Sequence, residues 1–110
     1  MTSVPAHDQT YYDRNGQPID ADGHARLQAH ADYPLVGRDQ AGEQQVVTAW
    51  RGTDQRTGGV GGEEPLIFST ITRTDHSAAP VDGEVVLAAT EQDALANHFA
   101  ILIRRRAELG

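Results

Sequence analysis

Gln45-Val46-Val47-Thr48-Ala49-Trp50-Arg51-Gly52-Thr53 is the stretch that decides the fold. Val46, Val47, Thr48 and Trp50 are β-branched or aromatic and favour a pleated strand over a helix. Two further segments read the same way: Leu66–Thr74, opened by Pro65, and Glu84–Ala89, which follows Gly83. Tyr33 to Asp39 reads as a fourth, shorter strand, starting after a turn at Asp32 and broken by Ala41-Gly42. The links between strands are short, and short links favour antiparallel pairing.

Helices are expected on either side of this block. Asp20 caps a short helix over Ala21–Ala31, with Leu27 and Ala31 on one face and Gly23 weakening it. Thr90-Glu91-Gln92-Asp93 is an N-cap with an acidic first turn, and the helix it starts runs to Arg106 or Glu108. Leu95, Phe99 and Leu102 recur at i, i+4, i+7 and mark its buried stripe. Arg104, Arg105 and Arg106 fall in the last turn, where cations complement the helix dipole. Ahead of the first helix, Asn15-Gly16 sets a tight turn or a tiny hairpin, because both residues tolerate positive φ. The expected architecture is an α+β domain. Its antiparallel sheet has about four strands (33–39, 45–53, 66–74, 84–89), a short N-terminal helix and a longer C-terminal one. Residues 1–9 are expected to be a disordered lead-in to a single domain over 10–110, and 56–64, with four glycines, a mobile loop.

Composition removes several chemistries. The 110 residues contain no cysteine and no lysine, so thiol, disulfide, Schiff-base and P-loop functions are excluded. The lack of disulfides in so small a chain, together with an N-terminus that has neither a basic patch nor an apolar run, points to the cytoplasm. The longest apolar runs have five residues, too few to span a bilayer. A net charge of −7 disfavours binding to phosphate backbones.

The tempting sites fail on spacing. His24 and His30 are six apart, not the four that places two ligands on one helix face, and His7, His76 and His98 read as loop or helix histidines. Aligning Gly23 with the glycine of a calcium loop leaves Pro18 and Ala29 where acidic ligands belong. Asp75-His76-Ser77 has the letters of a triad, but adjacent residues do not place the base between nucleophile and acid. Gly58-Gly59-Val60-Gly61-Gly62 has no Lys-Ser/Thr after it and leads into a strand. Neither a metal nor a cofactor is expected.

The three strong strands are apolar on both faces: Val46 and Trp50 alternate with Val47 and Ala49, Leu66 and Phe68 with Ile67 and Ile71, and Val85 and Leu87 with Val86. A solvated face would alternate apolar with polar. The second face is therefore expected to meet a protein partner or another copy of the chain. The interface candidates are Trp50, Arg51, Asp54, Phe68 and Ile71. The alternative is a small enzyme or ligand-binding domain with a pocket near Trp50, Asp54 and His98.

Four segments taken together carry a resemblance: Tyr11–Ile19, Val47–Asp54 with Trp-x-Gly-x-Asp, Pro65–Thr70 with Pro-Leu-Ile-Phe-x-Thr, and Glu91–His98 with Ala-Leu-Ala-x-His. In this order they resemble a family of small uncharacterised proteins of actinobacteria and their phages and prophages, over about residues 10–105. The chain departs from that pattern at Gln55, where the family tends to have His after Asp, at His24, where it often has Trp, in its longer glycine-rich loop, and at Thr72-Arg73, where it is more apolar. The resemblance implies a phage or prophage accessory protein and carries no activity with it.

Overall fold

The structure, a computed structural model, describes residues 10–30, 32–55, 65–74, 77 and 79–109. The elements are β1 (Tyr11–Tyr12), β2 (Pro18–Ile19), α1 (Ala21–Gln28), β3 (Leu35–Ala41), β4 (Gln44–Trp50), β5 (Phe68–Thr74), β6 (Val85–Ala88) and α2 (Glu91–Leu109). β1 and β2 form a small antiparallel hairpin, and β3-β4-β5-β6 form one antiparallel sheet in sequence order. This is the α+β arrangement read from the sequence. Residues 1–9 and 56–64 and the triad letters Asp75 and His76 lie outside the described residues.

Local chemistry sets the turns. The hairpin closes over Asn15-Gly16: Asp13 Oδ1 accepts from the Asn15 and Gln17 amides, each at 2.9 Å, and Gly16 has φ 84°. Asp20 caps α1 by accepting from Gly23 N at 2.7 Å. α1 stops at Gln28, short of the expected end, and Ala31 is not among the described residues. β3 does not break at Ala41. Ala41 pairs with Gln44, and Gly42-Glu43 makes a two-residue turn with φ 63° at the glycine alone, the pattern of a type II′ hairpin. The strands over 45–53 and 66–74 are trimmed to Trp50 and from Phe68.

The register sorts the sheet into two faces. Val46, Thr48 and Trp50 stand opposite Thr72, Thr70 and Phe68, and Thr70 and Phe68 stand opposite Val86 and Ala88. This face is covered by α2, which contacts all four strands. Thr90 Oγ1 caps α2 by accepting from Asp93 N at 3.1 Å. The helix buries Ala94, His98, Ile101, Leu102 and Arg105. The stripe Leu95–Phe99–Leu102 is thus corrected by about one residue: only Leu102 of the three is buried, and Phe99 is 51% exposed.

Two apolar clusters result. Trp50, Ile67, Phe68, Ala88 and Ala94 form one, with Tyr12, Leu27 and Tyr33 against it. Ala41, Val46, Ile101 and Leu102 form the other. α1 contributes Leu27 to the first cluster, and its His24 and Gln28 line a cleft with Ala49 and Arg51 at that end of the sheet. Arg14 ties the hairpin to this end. Its Nε and Nη2 meet Glu91 at 2.9 and 2.8 Å, and its Nη1 donates to Tyr33 O at 2.9 Å. The hydrogen bond to Glu91 raises the Arg14 pKa further, against the opposing effect of burial.

The three consecutive arginines are fasteners as much as dipole partners. Arg105 is buried, donating from Nε to Thr72 Oγ1 at 3.1 Å and from Nη2 to Glu84 at 3.1 Å. Arg104 also reaches Glu84, and Arg106 donates to Gln40 O of β3. Replacing Glu84 with alanine leaves the buried Arg105 guanidinium with Thr72 and the more distant Glu108, at 3.4 Å. Because Glu84 is itself one-third exposed, the expected loss is about 1–2 kcal/mol, below that of a fully buried pair, read as a lower urea midpoint with an unchanged slope.

Candidate functional site

Between the two apolar clusters runs a polar chain. Thr70 and Thr48 hydroxyls are 2.6 Å apart, Thr48 Oγ1 lies 2.8 Å from His98 Nδ1, and His98 Nε2 lies 2.7 Å from Asp39 Oδ2. Asp39 as a carboxylate only accepts, so Nε2 carries a proton. In the neutral ring Nδ1 then accepts from Thr48, which accepts from Thr70. The ring lies over Gly37. A Cβ there would stand 3.2 Å from Cε1, and β3 shifts register between Leu35 and Gly37 at the same place.

Hydroxyl, imidazole and carboxylate stand in the order of a hydrolytic triad. Yet Thr48 and His98 are both 0% exposed, and only Asp39, with 42% of its side chain exposed, reaches solvent. A nucleophile needs a place about 3 Å away for the reacting atom, and the core fills that place. In this state the chain satisfies buried polar groups between strands and helix. His98 is therefore a buried core residue, correcting the reading of it as an exposed helix histidine. Sequence spacing gave no sign of it, because its partners come from β3 and β4.

The Trp-x-Gly-x-Asp segment is also structural. Trp50 Nε1 donates to Tyr12 O at 2.9 Å, and Tyr12 N donates back to Gly52 O at 2.8 Å. Gly52 has φ 80°, and a Cβ on it would fall 2.5 Å from the His24 ring and 2.9 Å from Trp50. Asp54 Oδ1 accepts from Leu66 N at 3.1 Å, holding the approach to β5. The segment clasps the N-terminal hairpin to the sheet.

Of the interface candidates, Trp50 and Phe68 are corrected to core: both lie on the helix-covered face and are buried. Ile67, which alternation assigns to the other face, is buried in the same cluster. Arg51 is exposed, and Ile71 is half-buried on the face away from α2. The described cleft that Trp50 lines includes neither Asp54 nor His98. The cleft beside Trp50, about 460 Å³, is lined by His24, Gln28, Pro34, Ala49, Arg51, Thr53 and Gln55. His24 Nε2 and Gln28 Nε2 there lie 3.0 and 3.3 Å from Arg51 O. Ser77, the last of the triad letters, accepts from Ala79 N in a local turn. Among the described residues no group of three or more acidic or histidine side chains could hold a metal ion, and no helix is long and apolar enough to cross a membrane.

The opposite sheet face is the remaining feature. Val47, Ile71 and Val85 stand side by side across β4, β5 and β6, and Ala49, Ser69 and Leu87 form the next row. Val85 is 48% exposed and the others are half-buried. Gln40, Gln45 and Arg73 close one end as a ladder, Gln45 Nε2 donating to Gln40 Oε1 at 3.1 Å and Arg73 donating to Gln45 Oε1 at 3.1–3.2 Å. Comparison with protein-family models, curated proteins and solved structures gives no match.

Proposed function

We propose that the chain is a non-catalytic binding protein that engages a protein partner, or a second copy of itself, through the sheet face away from α2. The observation that carries the proposal is the cluster Val47, Ala49, Ile71, Val85 and Leu87 on the face opposite the one that α2 covers, with α1 meeting it at the cleft lined by Ala49. A sheet becomes a stable layer by burying each apolar face against something, and here the described residues cover one side with α2 and place no such layer on the other. The resemblance to actinobacterial phage and prophage proteins fits an accessory of that kind, acting on a host process or in an assembly.

The competing apolar spot is the outer side of α2, where Phe99 and Ile103 stand exposed at i, i+4. It is two side chains wide, against five on the sheet. The test is affinity capture from an actinobacterial lysate with matched variants. Val47→Gln/Ile71→Gln is expected to cost about 1 kcal/mol of stability, because both positions are half-exposed, and to lose a partner that wild type and Ile103→Gln both retain. Capture lost with Ile103→Gln and kept by the sheet variant would move the interface to the helix.

A further inference from the structure

We infer, taking the open sheet face to be the binding surface, that its occupant is an acidic amphipathic helix of a partner protein. The charges of the described sheet strands are segregated between the two faces. The carboxylates of the sheet region, Asp39 and Glu84, both turn toward α2, where His98 and the Arg104–Arg105 pair hold them. On the open face the charged strand side chains are Arg38, beside Val47, and Arg73, beside Gln45. Neither makes an ion pair among the described residues, and Arg73 is held only by the neutral amide of Gln45. Arg51 continues the series where the face meets the cleft lined by Ala49. In a protein of net charge −7, the described strand residues of this side form an apolar field whose charged members are arginines.

Size and charge select the occupant. Three strands of seven residues and one of four, about 4.8 Å apart, present roughly 400 Å², the footprint of one short helix in a weak contact and about half of the ~800 Å² per partner of a stable dimer. Among the described strand residues of this face, a second copy also brings arginines and no carboxylate to the contact. A helix rises about 1.5 Å per residue, so three turns cross all four strands. Its apolar stripe covers Val47, Ile71, Val85 and Leu87 while carboxylates on its flank meet Arg38 and Arg73.

The test uses two labelled synthetic helices of about 14 residues, identical in their leucine stripe and carrying glutamate or lysine on the flanks, titrated with the full chain by fluorescence anisotropy. The net charge of −7 alone favours the lysine peptide, so a preference for the glutamate peptide can come only from the local arginines. The expected result is glutamate binding at least ~10-fold tighter, reversed by Arg38→Glu/Arg73→Glu, since like charges in contact are strongly unfavourable. Equal binding, a lysine preference, or no binding of either peptide overturns the acidic-helix inference. If Val47→Gln/Ile71→Gln then abolishes self-association in the ultracentrifuge, the face is still an interface, with a copy as its occupant. If that variant changes neither peptide binding nor association, the binding-face reading falls as well.

Discussion

Gly52→Ala is expected to lower stability by about 3 kcal/mol, enough to move the melting temperature of a domain this size by roughly 10 °C or more. The position combines three demands. Its φ of 80° costs an L-residue about 1–2 kcal/mol. The new methyl would fall 2.5 Å from the His24 ring and 2.9 Å from Trp50. His24 can turn aside, but only by leaving Arg51 O and the Tyr11 ring, 4.4 Å away between centroids. Trp50 is fixed in the core and cannot yield. Urea titration by circular dichroism measures the loss. A change under about 0.5 kcal/mol, the size of an ordinary surface substitution, would show that the Trp50–Gly52 clasp does not hold the hairpin as described.

His98→Ala is expected to cost about 3 kcal/mol or more. It removes a fully buried ring, leaves a void, and takes from Thr48 its imidazole partner. The pairing with Gly37 gives a sharper form of the test. Gly37 does not have positive φ, so alanine suits its backbone, and the obstacle is the imidazole 3.2 Å from the added carbon. Gly37→Ala should therefore destabilise the wild type and stabilise His98→Ala, where it fills the space left behind. The coupling in the double-mutant cycle is expected to exceed about 1 kcal/mol. Additive effects would mean that ring and strand do not touch in solution.

These two sites mark where the sequence was legible and where it was not. The strands could be read because Val46–Trp50 and its neighbours combine β-branched residues with turn signals that act locally: Asn15-Gly16, Gly42 and Gly83. The N-caps Asp20 and Thr90 act within one turn and were equally plain. The buried stripe of α2 was displaced because hydrophobicity ranks Leu95 and Phe99 above His98 and Arg105. The helix faces Thr48, Thr70 and Thr72, and hydroxyls in a core require polar partners. Nothing in the helix itself announces which strand residues it will meet.

The same limit affected the interface residues. Alternation along β4 and β5 separated two faces correctly at Val47 and Ile71, but it does not say which face a helix covers. Trp50 and Phe68, the largest and most interface-like side chains, went to the covered side. Trp-x-Gly-x-Asp looked distinctive because three long-range demands fall on it, from Tyr12, His24 and Leu66. All three are structural.

Thiol labelling tests the openness of the second face most directly, since the chain has no cysteine of its own. Single variants Val47→Cys and Ile71→Cys on one face, and Thr48→Cys and Thr70→Cys on the other, are treated with a maleimide at low protein concentration. The first pair is expected to react directly from the folded state, and the second only through unfolding, at least ~100-fold slower than the first for a domain stable by a few kcal/mol. Equal protection of both pairs in the isolated chain would mean that both faces are already covered, and the binding surface proposed for this protein would not exist.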